Sequence, residues 1–132
     1  MSFSRPATFL HGVLIVDAVA SGATGLLMLA GAGLLGGLLG LPEPLLRYAG
    51  LVLLPYVTFV AFVASRPESA RGAVWAIIAC NAAWTAASIL LLAGGWIAPT
   101  LLGYAFVIAQ AGAVGALGEL QYFALRRSRV TG

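Results

Sequence analysis

Apolar residues fall in four blocks, near positions 8–31, 45–65, 73–95 and 100–125, with almost nothing charged inside them. Each block is long enough to cross a hydrocarbon layer of about 30 Å, which takes roughly 20 helical residues. A helix satisfies its own backbone hydrogen bonds in lipid. A transmembrane barrel would instead show short alternating segments, and none is visible. Only 8% of the 132 residues are charged and 61% are hydrophobic, whereas a soluble domain carries about a quarter charged residues. The fold expected is therefore all-α: a polytopic membrane protein, a four-transmembrane-helix bundle occupying 1–132 as one domain.

The basic residues set the orientation. All seven are arginine, and Arg5, Arg66, Arg71, Arg126, Arg127 and Arg129 share one side if four helices alternate. Only Arg47 falls on the other. Positive charge stays inside during insertion, so the expectation is an inner (plasma) membrane protein of bacterial type with both termini cytoplasmic. The stretch "FLHGVLIVDAVAS" after Arg5 imitates a signal peptide cut after Ala20, but apolar sequence runs on to Leu41, and a retained first helix is the expectation. Nothing in three tail arginines amounts to a nucleic-acid platform. The segment 32–43, rich in Gly and Leu and closed by Pro42, reads as a short interfacial piece.

The chain also reads as two weakly similar hairpins. "DAVASGATGLL" (17–27) aligns with "NAAWTAASILL" (81–91), matching Asp17 with Asn81, Ser21 with Thr85 and Thr24 with Ser88. Positions i, i+4 and i+7 share a helix face, so each hairpin presents one polar stripe. Aspartate and asparagine need partners in lipid, which predicts inward-pointing stripes and a contact between Asp17 and Asn81. Small residues at Ala79, Ala83 and Ala87 and at Gly112, Gly115 and Gly118 suit close helix packing. Pro55 removes one backbone donor from its helix. Tyr56 and Trp84 fall near mid-membrane, away from the aromatic belts, as buried rings or as the lining of a ligand cavity.

An acid inside such a block costs about 2.5–3.5 kcal/mol on insertion scales and is a functional candidate by default. Counted inward from Arg126, Glu119 falls about 10 Å from the boundary, level with His11 counted from Arg5. One reading is a hydrated vestibule running from His11 and Glu119 to Asp17 that takes up a proton or cation. The other makes Asp17 a protonated hydrogen-bonding group between helices. His11 is the only histidine and Cys80 the only cysteine, so no metal, haem or CxxC site is expected, nor any other cofactor. The function expected is the binding or movement of a small solute or ion, with Asp17, Glu119, His11, Asn81, Ser21, Thr85, Tyr56 and Trp84 as candidate site residues. The alternatives are an accessory subunit of a larger membrane complex and an enzyme acting on a lipophilic substrate. The partners expected are the lipid bilayer and either further copies of the chain or a larger complex.

Overall fold

The computed structural model describes residues 5–66 and 70–131, with side-chain surroundings for 8–66 and 70–127. Five helices follow in order: α1 (Arg5–Ala30), α2 (Ala32–Leu39), α3 (Glu43–Ser65), α4 (Arg71–Ala93) and α5 (Leu101–Thr131). There is no strand among the described residues. Four helices are long and apolar enough to cross a membrane: Thr8–Ala30, Glu43–Ser65, Arg71–Ala93 and Leu101–Arg127. Their flanks leave many large apolar side chains exposed, among them Val19, Leu26, Phe62, Leu90 and Ile108. In water such a surface would drive aggregation; against lipid it needs no cover.

The segment 32–43 folds as a short helix and a turn. Gly31 separates α2 from α1, and Gly40 closes it in the left-handed region at φ 67°. A side chain there would also press on Thr100, whose backbone nitrogen would lie 2.8 Å from the new Cβ. Thr100 caps α2 across the chain: its N–H donates to the Leu39 carbonyl at 3.0 Å and its hydroxyl to the Leu38 carbonyl at 2.8 Å. These bonds satisfy carbonyls that a helix end leaves open, and they tie α2 to the start of α5.

The helices pack unevenly. α1 lies against α3 most extensively, α4 against α5, and α1 against α5; α3 and α4 barely touch, and α1 and α4 are diagonal. The core is layered. Leu10, Leu14, Val60, Val63, Ile77 and Leu125 form one apolar cluster towards the termini. Met28, Leu46, Leu53 and Val107 form another at the far end. These partnerships show α1 and α4 running antiparallel to α3 and α5. Polar side chains occupy the layer between.

Glycine decides how close α1 and α3 come. A Cβ on Gly50 would sit 2.8 Å from the Gly25 carbonyl oxygen and 2.9 Å from the Leu29 nitrogen. On α5, a Cβ on Gly118 would lie 3.2 Å from Asn81 and one on Gly115 3.6 Å from Thr85, both on α4, whereas one on Gly112 would meet nothing within 4 Å. Gly50→Val should therefore lower stability by roughly 1–3 kcal/mol, the usual cost of overpacking. Gly112→Val should leave it nearly unchanged. Thermal unfolding of the purified protein in micelles checks both.

Candidate functional site

Asp17 sits in the middle of α1 and is 1% exposed. Polar side chains from all four long helices converge on it. From its own helix, one turn on, the Ser21 hydroxyl donates to Asp17 Oδ1 at 2.9 Å. From α4, Asn81 Nδ2 donates to Asp17 Oδ2 at 3.2 Å. From α5, Gln121 Nε2 donates to the same oxygen at 2.7 Å. The second Asn81 amide hydrogen reaches Gln121 Oε1 at 2.8 Å. From α3, Tyr56 Oη lies 2.6 Å from Asp17 Oδ2 and 2.9 Å from Asn81 Oδ1. Asn81 is 3% exposed and Gln121 fully buried. Asp17 and Asn81 meet although α1 and α4 are diagonal, because both side chains point at the bundle axis.

Three donors crowd one carboxyl oxygen and a fourth takes the other. This is an anion's or an acid's environment. A metal cation would need lone pairs where this site offers N–H and O–H groups.

A second polar set lies towards the far end. Trp84 Nε1 donates to Gln110 Oε1 at 2.6 Å, Gln110 Nε2 donates to Ser88 Oγ at 2.9 Å, and the Ser88 hydroxyl turns back to the Trp84 carbonyl. This fixes the Trp84 ring beside the gap between α3 and α4. Two neighbouring cavities fill that gap and share Trp84 and Ala87. One, about 320 Å³, is bordered by Ser21, Val52, Tyr56, Cys80 and Asn81. The other, about 290 Å³, continues past Met28, Leu45, Ala49 and Phe106. The α4 wall of the inner cavity is cut from Cys80, Ala83 and Ala87, which are too short to reach α3. The result is a cleft open to the side, apolar along its length, with Tyr56 and Asn81 at its inner end.

The remaining candidates lie elsewhere. The Thr85 hydroxyl donates to the Asn81 carbonyl and borders the outer groove of α4 and α5, together with Glu119. Glu119 is exposed, two positions from Gln121 and so on nearly the opposite face of α5. It makes no hydrogen bond or ion pair among the described residues. Gln121 fixes the level of α5 against Asp17, and Glu119 lies beside that level. His11, half-buried, precedes Asp17 by six residues, about 9 Å nearer the termini. The structure does not bring His11 and Glu119 together as the expected vestibule requires, because Arg126 lies only five residues beyond Gln121 whereas Arg5 lies twelve before Asp17, so a count inward from Arg126 underestimates depth.

Sequence reasoning passed over Gln121 and Gln110. The available signal was simple: both are amides within an apolar block, 11 residues or three turns apart on one face. No family model, curated protein or solved structure matches the chain. Gln121→Leu should destabilise the bundle by about 1–2 kcal/mol, the upper range for a hydrogen bond between membrane helices. Unfolding in mixed micelles measures it.

Proposed function

We propose that this chain is a multi-pass protein of an inner (plasma) membrane, termini cytoplasmic, that binds and moves a small lipophilic solute in the cleft between α3 and α4. The arginine distribution supports the orientation, six on the side of the termini against one on the other. The observation that carries the reading is where the cleft ends. Its inner wall includes Tyr56, Asn81 and Ser21, three of the four side chains that also hold the buried Asp17 carboxyl. Apolar walls with a few convergent polar groups are the usual form of a small-molecule site, and 290 and 320 Å³ together lie in the usual size range. A sideways opening suits a solute that partitions into the bilayer first. In this reading Asp17 serves a proton, not a metal ion.

A second reading, an accessory subunit of a larger membrane complex, draws on Glu119. A carboxyl on the outward face beside the level of Asp17 is costly against lipid and is relieved by a neighbour. Native mass spectrometry of gently extracted protein separates the two readings. A monomer or homo-oligomer retaining a small molecule favours solute binding; a stoichiometric assembly with a larger protein favours the subunit.

Trp84 reports on the cleft directly. With Trp75 and Trp96 changed to Phe, it is the only indole left of three. A brominated long-chain alcohol should then quench its fluorescence saturably in nanodiscs, and Ala83→Leu should abolish the saturable part. Quenching that rises linearly with probe and ignores Ala83→Leu would mean simple partitioning and overturn the reading.

A further inference from the structure

Tyr56 Oη has one hydrogen and two close acceptors, Asp17 Oδ2 at 2.6 Å and Asn81 Oδ1 at 2.9 Å. With Asp17 ionised, one of these short contacts holds no proton. Exchanging oxygen and nitrogen in the side-chain amides moves the fault without removing it. Turning Asn81 alone sets its oxygen against Gln121 Oε1. Turning Gln121 alone sets its oxygen against Asp17. Turning both sets two amide oxygens against the carboxylate. A proton on Asp17 Oδ2 removes the fault completely. Asp17 then donates to Tyr56, Tyr56 to Asn81 Oδ1, Asn81 to Gln121 Oε1, and Gln121 back to Asp17, a closed ring in which each bond polarises the next.

The contact that depends on this proton has a particular place. Tyr56 to Asn81 crosses from α3 to α4, the seam with scant backbone contact, and it forms the inner end of the cleft. We propose that Asp17 is a proton site whose occupancy latches α3 to α4, and that the cleft takes a lipophilic solute bearing an O–H or N–H donor in exchange for that proton. When Asp17 ionises, it keeps the Tyr56, Asn81 and Gln121 donors, and Tyr56 no longer has a hydrogen for Asn81. Asn81 Oδ1 is then a buried acceptor without a donor at the inner end of the cleft. A hydroxyl or amine on the solute supplies what Tyr56 has withdrawn. Only this last step rests on the cleft being a solute site.

Few titratable or charged groups stand near Asp17 among the described residues. α3 offers Tyr56, and α4 offers Cys80 on the same cavity wall. α5 offers the uncharged Gln121, with Glu119 on its other face. On α1, His11 stands about 9 Å away. The nearest described arginine on α4, Arg71, donates to the Leu125 carbonyl one turn beyond Gln121.

The sign follows: low pH closes the seam and rising pH opens it. Spin labels at Phe59→Cys and Ala79→Cys in a Cys80→Ala background, in nanodiscs, read the α3–α4 distance. It should lengthen or broaden as pH rises. The infrared carbonyl band of a protonated acid, absent in Asp17→Asn, should fade over the same range. Asp17→Asn should abolish the pH dependence of the distance. Tyr56→Phe, which keeps the acid and removes the latch, should stay open throughout while the infrared band still titrates. By Trp84 quenching, the brominated alcohol should bind about tenfold more tightly at high pH than at low, and its methyl ether, which cannot donate, should show no such preference.

A distance that ignores pH while the band titrates, or a Tyr56→Phe protein as closed at low pH as the parent, overturns the latch. Equal preference by alcohol and ether overturns the donor requirement. If the distance follows pH but no probe binds saturably, the solute reading fails and the latch stands.

Discussion

A carboxyl group in a low-dielectric interior must be surrounded or neutralised, and the architecture of this bundle follows from that demand at Asp17. Leaving one buried polar group unsatisfied costs more than a satisfied one contributes. The partners must therefore be present together, and they come from every long helix: Ser21, Tyr56, Asn81 and Gln121. The network fixes the rotation of each helix about its own axis and its level against the others. Apolar packing above and below, by the clusters around Leu14 and Met28, supplies adhesion, but interchangeable leucines specify register poorly.

The same layer explains why one seam is left open. α1 and α3 approach through Gly25 and Gly50, and α4 and α5 through Gly115 and Gly118. In the inner cavity between α3 and α4 the small residues lie on α4 only, so Cys80, Ala83 and Ala87 leave space instead of closing it. Small side chains bring helices together when the facing backbone can follow. Here α3 is already committed to α1, and the space remains as a cleft.

How much of this could be read beforehand depended on what each signal measures. The four long helices were legible because a sustained apolar block reports directly on a long apolar helix, and the ends of those helices differ from the apolar blocks by about two residues. The stripe from Asp17 to Thr24 was legible in part, since i, i+4 spacing fixes a face, and Ser21 does bond to Asp17. Its counterpart was less regular: Thr85 and Ser88 turn back to their own helix. Gln121 was hidden by neighbours of louder chemistry, Glu119 and the arginine tail. Depth was the weakest inference, because an arginine marks a boundary only when it stands equally far out on every helix, and Arg126 is five residues from Gln121 whereas Arg5 is twelve from Asp17.

The division of the network between the two halves of the chain bears on how the molecule is put together. α1 and α3 form one tightly packed pair and α4 and α5 the other, with α2 bracing the first against the second. Asp17, Ser21 and Tyr56 belong to the earlier pair, Asn81 and Gln121 to the later. A chain made from its N-terminus completes the first pair before the second, and until then Asp17 has only Ser21 and Tyr56 of its four partners. Completion of the bundle is thereby registered in a single buried group. A half-made molecule carries an incompletely paired acid that a finished one does not.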